Sequence, residues 1–169
     1  MLQIVFNMPI EIEKKFLVKD KTYKRLATGV HYRQGYLNRD KKRTVRVRIA
    51  GNDAFLTIKG ITCGIERLEF EYPISLVEAN EMIDLICEKP VIEKYRYSFY
   101  INGHEWEVDE FLGDNEGLVI AEVELDTTDE LVDLPDWIGE EVTGDTRYYN
   151  SMLSVEPFKL WTENIGMGL

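Results

Sequence analysis

The sequence predicts a mainly β fold, an antiparallel sheet or barrel of about eight strands with few helices. Three observations carry that expectation. Apolar and polar residues alternate with period two in segments spread along the whole chain. Hairpin signals separate several of them, at residues 38–42, at Ala50-Gly51-Asn52-Asp53 and at Asn102-Gly103. Only one stretch, residues 75–87, carries a complete helix signature.

Residues 1–7 precede a second methionine, Met8, and read either as an extra strand or as a consequence of start-site choice between Met1 and Met8. The first strand runs through residues 9–18, with Glu11, Glu13 and Lys15 on one face and Ile10, Ile12 and Phe16 on the other. Residues 20–27 follow as a short helix or turn, and residues 32–37 as a strand with Gly35 before Tyr36. In residues 44–49, Arg46 and Arg48 oppose Val45, Val47 and Ile49; in residues 54–59, Lys59 is in phase with Thr57. Residues 66–72 set Glu69 and Glu71 against Leu68, Phe70 and Tyr72.

The helix signature begins with a capping box of Ser75 and Glu78, followed by an apolar stripe of Leu76, Ala79, Met82, Ile83 and Ile86. Cys87 reads as a core residue of that helix, and Pro90 closes it. Strands resume at residues 91–101, with Lys94 and Arg96 in phase, and at residues 104–111, with Glu105, Glu107 and Asp109 in phase. Residues 118–125 put Glu122 and Glu124 opposite Val123 and Leu125. Thr127 and Glu130 suggest another helix start, residues 134–139 a turn, and residues 148–153 a short helix. The tail from Glu156 is weakly patterned and is expected to pack outside or fray.

The chain has 169 residues, enough for one domain with a real core, and a net charge of −11. That excess repels nucleic acid and anionic lipid, so an anionic ligand needs a local cationic site. No phosphate-binding Gly-x-x-x-x-Gly-Lys, nucleophilic Gly-x-Ser-x-Gly or zinc-binding His-Glu-x-x-His is present. The two histidines, His31 and His104, suggest neither a zinc site nor a triad, and Cys63 and Cys87 have no ligand spacing. With no secretory leader and no apolar run near 18 residues, a cytoplasmic protein with reduced thiols is expected.

The peculiarity is that one face of most strands carries both signs of charge. Lys15, Arg46, Arg48, Lys59, Lys94 and Arg96 stand with Glu11, Glu13, Glu69, Glu71, Glu122 and Glu124, and these twelve sum to zero formal charge. A surface sheet laced by ion pairs is the bland alternative, since exposed pairs form readily and contribute little. Such a sheet would mix Ser, Thr and Gln among its charges rather than repeat Glu-x-Glu and Arg-x-Arg. The pattern therefore favours a charge-lined cavity whose strands bury their apolar faces outward.

Taken in order, Glu11-x-Glu13-x-Lys15, Arg46-x-Arg48, Lys59, Glu69-x-Glu71, Lys94-x-Arg96 and Glu122-x-Glu124 resemble the CYTH superfamily, the triphosphate tunnel metalloenzymes. The likeness spans residues 8–154 of a single domain 1–169, leaving residues 1–7 and 155–169 as extensions. Residues 33–37 and 141–150 resemble its short bacterial hydrolase branch. The resemblance implies an eight-stranded antiparallel barrel forming a tunnel, with helices packed outside. It implies one or two Mg²⁺ or Mn²⁺ ions on Glu11, Glu13, Glu122 and Glu124, with Glu69 and Glu71 as further ligands or water-orienting bases. Lys15, Arg46, Arg48, Lys59, Lys94, Arg96 and Arg147 would bind phosphoryl oxygens. Tyr36, if it faces inward near Lys94, would donate a proton, its phenol lowered by that charge. Asp109 would stand behind the ligands.

The implied activity is a metal-dependent triphosphatase acting on a small-molecule triphosphate, inorganic or nucleoside, and releasing orthophosphate. Class IV adenylate cyclase, thiamine triphosphatase with a stacking tryptophan (Trp106, Trp137 or Trp161), and a non-catalytic polyphosphate-binding module are the alternatives. No nucleic acid or membrane partner is expected; whether the chain forms a homodimer is left open.

Overall fold

The computed structural model describes residues 10–165. Strands β1 (Ile10–Val18), β2 (Val30–Asn38), β3 (Arg43–Ala50), β4 (Asp53–Cys63), β5 (Glu66–Ile74), β6 (Glu88–Ile101), β7 (His104–Phe111) and β8 (Val119–Glu124) form one antiparallel sheet in the order β5-β4-β3-β2-β6-β7-β8-β1. Pairing of β1 with β5, from Ile10 opposite Leu68 to Ile12 opposite Glu66, closes it into a barrel. A closed barrel has no free edge. A short strand, β9 (Ile138–Glu141), also joins β1, at its far end. Residues 134–139 were expected as a turn, and four residues are too few for alternation to reveal a strand.

Side chains point alternately into and out of the barrel. The outward apolar residues are covered in two places. Helix α1 (Leu76–Leu85), with the Ser75–Glu78 capping box formed, lays Ala79 and Ile83 over Val47 and Ala54. The rest of the expected stripe is less consistent, for Ile86 lies beyond the helix and is exposed. Cys87 also lies past the helix end, buried against Gly35, where any Cβ would approach its sulfur to 2.9 Å. Pro90 sits within β6, in the register break between Gln34–Ile92 and Tyr36–Glu88, where its missing N–H leaves no ladder bond unmade.

On the opposite side, Phe16, Trp106, Val108, Ala121 and Val123 form a layer capped by Tyr23, Phe99 and Trp137, whose ring lies 5.9 Å from both Trp106 and Phe99. Residues 126–135, which cross to that cap, hold no helix. The Glu130 carboxylate accepts from the Asp126 and Thr127 N–H groups and pairs with His104, so the capping residues bind locally without a helix following.

Inward apolar residues form a buried cluster at one end. Ile92, Phe111, Leu118 and Ile120 pack around Leu153 of α2 (Asn150–Leu153), and Leu17, Tyr148, Phe158 and Trp161 complete the cluster. Helix α3 (Phe158–Ile165) thus begins packed against the barrel's closed end, with Phe158 N–H donating to Asn115. The polar remainder of the interior is where the site lies. No helix among the described residues is long and apolar enough to cross a membrane.

Candidate active site

The barrel encloses a cavity of about 470 Å³ lined by seven carboxylates, Glu11, Glu13, Glu69, Glu71, Glu107, Glu122 and Glu124, and five cations, Lys15, Arg46, Arg48, Lys59 and Arg96. A smaller lobe of about 80 Å³ continues from it past Glu11, Glu13, Lys15, Arg46 and Lys59, and is completed by Tyr36, Thr44, Arg67, Thr143 and the start of α2. Residues of six sequence-distant motif elements therefore share one space. That arrangement follows from strand phase, because every one of them lies on the inward face of its strand.

The charges are paired around the wall. Lys59 bridges Glu11 at 2.7 Å and Glu69 at 2.6 Å. Lys15 bridges Glu13 at 2.7 Å and also contacts Glu122. Arg48 donates to both oxygens of Glu71 at 3.2 and 3.0 Å, and its guanidinium lies between the rings of Tyr32 and Phe55, 5.5 Å from each. Arg46 reaches the same carboxylate through Thr57, whose hydroxyl donates to Glu71 at 2.8 Å. Arg96 grips Asp109 with two bonds of 2.7 Å and touches Glu107 and Glu122.

These contacts divide the carboxylates into two groups. Burial works against the charge of Glu122, yet Lys15, Arg96 and Lys94 hold its carboxyl well below the usual range. Asp109 is likewise held low by Arg96 and Lys94 against its burial, and Glu69 by Lys59. Glu13 is pushed up by burial and by the like charges of Glu122 and Glu11 despite Lys15. Glu124 is pushed up by burial and by Glu105, Glu11, Glu107 and Glu13, and among the described residues it forms no ion pair. Burial also raises Glu107. The upper wall carries more negative charge than its own cations offset.

Three sequence expectations are corrected. Lys94 does not line the cavity: it is 1% exposed, bound to Asp109 behind Arg96 and set over the Phe111 ring, because the closed end of the barrel begins at its level. Burial and the neighbouring Arg96 push its ammonium down to about 8. Arg147 stays outside, its side chain 63% exposed, paired with Asp145 at 2.6 Å and stacked on Tyr148 and Trp161. Tyr36 does face inward, but burial raises its phenol, and its charged neighbours are Arg46, Lys59, Arg67 and Lys15 rather than Lys94. Its hydroxyl receives only a 3.4 Å contact from Gln34.

Sequence reasoning missed Glu107, although it was in phase with Asp109; in the β7–β8 ladder it stands directly opposite Glu122. It also missed Arg67, which donates to the Gly60 carbonyl at 2.6 Å and to Thr44 at 2.8 Å. With Lys94 out of the wall and Glu107 in it, the expected neutral tunnel becomes an anionic one.

The CYTH domain profile matches residues 9–157. The chain belongs to the CYTH family. An inorganic triphosphatase of Acetivibrio thermocellus is 58% identical to it over 153 residues, 90% of this chain and 98% of that protein. An inorganic triphosphatase of Nitrosomonas europaea is 37% identical over 149 residues, 86% of this chain and 97% of that protein. A crystal structure of an inorganic triphosphatase matches with a TM-score of 0.61 at 35% identity, covering 86% of this chain and 94% of that one.

The CYTH barrel's carboxylates suit a hard divalent ion in kind, being all-oxygen donors on adjacent strands. Glu13 and Glu124 carry the repulsion that such an ion relieves. Among the described residues no three His, Cys, Asp or Glu side chains converge as a metal cluster; Lys15 and Lys59 pair with carboxylates of the wall.

Proposed function

We propose that this protein hydrolyses inorganic triphosphate to pyrophosphate and orthophosphate with the help of Mg²⁺ or Mn²⁺. The observation that carries this reading is the cavity inside the barrel in which five cations face seven carboxylates. Cations alone would suffice to bind an anion, whereas the surplus of carboxylates calls for metal as well. The relatives named inorganic triphosphatase support the same substrate.

Arg46, Arg48, Lys59, Lys15 and Arg96 take the phosphoryl oxygens. Arginine forks match two oxygens of one phosphate, and charge-assisted bonds of this kind are about twice as strong as neutral ones. Glu11, Glu13, Glu122 and Glu124 would hold the metal, which would supply offset of phosphate charge and activation of water. Lys15 and Lys59, which pair with these carboxylates, would be free to turn toward the substrate were the carboxylates engaged by metal.

Glu69 and Glu71 orient the attacking water. The depressed carboxyl of Glu69 makes it an acceptor rather than a strong base. Water oxygen bonds to a terminal phosphorus, the bridging P–O bond breaks, and pyrophosphate leaves; the water's protons pass to solvent and product. Tyr36 keeps its phenolic proton because burial raises its pKa, so its hydroxyl, which accepts from the Gln34 amide, also has a proton to donate toward the substrate. Asp109 and Lys94 hold Arg96 in place from behind.

Trp106 and Trp137 lie in the layer outside the barrel wall and Trp161 at the closed end, so none offers a stacking face in the cavity to a thiazolium or adenine. Product analysis with inorganic triphosphate, ATP and thiamine triphosphate, each with Mg²⁺ and Mn²⁺, tests the reading. Orthophosphate released fastest from inorganic triphosphate is expected; cyclic AMP from ATP, or no turnover of any substrate, overturns it.

A further inference from the structure

Asn150 is the first residue of α2 and lines both lobes of the cavity, where they meet beside Lys15, Arg46 and Lys59. Its Oδ1 is buried and has no hydrogen-bond partner. Buried amide groups are nearly always bonded, so an orphan facing a ligand cavity points to a partner that arrives with the ligand. The position is not accidental. The Asn150 carbonyl accepts from Ser154 N–H at 3.1 Å, Leu153 is fully buried in the closed end, and Arg39 donates to the Ser154 carbonyl at 3.3 Å. The turn that carries the amide is thus closed on itself and fixed to the barrel at two points, Leu153 and Ser154.

At this junction Lys15, Arg46 and Lys59 carry full charge and are engaged with Glu13, Glu11 and Thr57, whereas a carboxamide is neutral and offers both a donor and an acceptor. A half-turn about its terminal bond puts Nδ2 where Oδ1 lies. We propose that Asn150 contacts the substrate directly, Nδ2 donating to a phosphoryl oxygen between Lys15, Arg46 and Lys59, while Oδ1 accepts from a lysine freed from its carboxylate. The contact ties α2, and with it the closed end, to occupancy of the tunnel. This rests on the triphosphatase reading.

The test compares the wild type with Asn150→Ala and Asn150→Asp, measuring kcat and KM for inorganic triphosphate at saturating Mg²⁺ and melting temperature without ligand. Loss of a hydrogen bond to a charged group raises KM roughly tenfold in the Ala variant, with kcat within about twofold, since a contact made equally in ground and transition states moves KM alone. The Asp variant, isosteric but anionic, is impaired several-fold more than Ala at an unchanged melting temperature. KM within twofold of wild type in both, or Asp no worse than Ala, overturns the proposal. An inactive wild type instead overturns the triphosphatase reading itself. If either variant fails to fold, hydrogen exchange of the wild type decides: a non-hydrolysable triphosphate analogue with Mg²⁺ slows exchange at residues 150–154 beyond Mg²⁺ alone, and unchanged exchange there with the analogue bound overturns the contact.

Discussion

Glu13 and Glu124 face each other directly across the β1–β8 ladder, two carboxylates on the same inward side of adjacent strands. Like charges so placed repel, and both carboxyls are pushed up, Glu13 by burial first and Glu124 by burial and four surrounding glutamates. The pair is the clearest sign that the fold tolerates a local instability for the sake of a cation.

Glu124→Gln should therefore separate function from stability. Turnover at low Mg²⁺ falls by at least tenfold, the usual scale for loss of a metal-holding contact. The metal-free melting point stays level or rises, because about 0.5 kcal/mol of cross-strand repulsion is removed. Activity and thermal melts in EDTA check both halves. A variant that keeps wild-type rate at low Mg²⁺ excludes Glu124 as a ligand.

Arg48→Lys should impair the enzyme although it keeps the charge. Arg48 lies between Tyr32 and Phe55 and bonds both oxygens of Glu71, a geometry that needs a flat fork. Stability drops by about 1 kcal/mol as the stacked contacts go, and KM for triphosphate rises by about tenfold with the loss of a paired phosphate contact. Unchanged kinetics would show that Arg48 serves only its neighbours.

The alternation of charges on β1, β3, β5 and β8 was legible because period two is a local property. Nothing local told Lys94 from Arg96, which share a face of β6 two residues apart. What separates them is where the closed end begins, and that is set by Ile92, Phe111, Ile120 and Leu153 from four different elements. Arg147 was misread for the same reason: its stacking partner Trp161 lies in α3, a segment with little pattern of its own. Glu107 was visible in phase, but phase does not report depth along a barrel, so its place in the cavity wall appears only once β7 is set beside β8.

Lys94 gives a pH signature. Its ammonium, brought down to about 8 from 10.5 by burial and Arg96, loses its proton in the folded protein while the unfolded chain still holds one. Between those values the unfolded state binds more protons, so this group makes stability rise with pH from about 8 to about 10.5, and the gain is lost as pH falls back through 8. The contribution is on the order of 3 kcal/mol. Denaturant titrations of wild type and Lys94→Met across this range should diverge in slope; parallel curves would show that Lys94 titrates normally.

The central claim is that metal and triphosphate share one cavity and need each other. Carboxylates outnumber cations on its wall, so triphosphate alone meets net repulsion and metal alone displaces Lys15 and Lys59 without giving them a partner. Together the additions nearly cancel, and close pairs in a partly desolvated space interact by about 4 kcal/mol at an effective dielectric near 20. Each ligand should then tighten the other by the same factor. Thermal melts report this directly, since ligands that bind the folded state raise its midpoint. At matched ionic strength and free Mg²⁺, a non-hydrolysable triphosphate analogue plus Mg²⁺ should shift the midpoint by more than the two separate shifts added. Merely additive shifts would contradict a shared site.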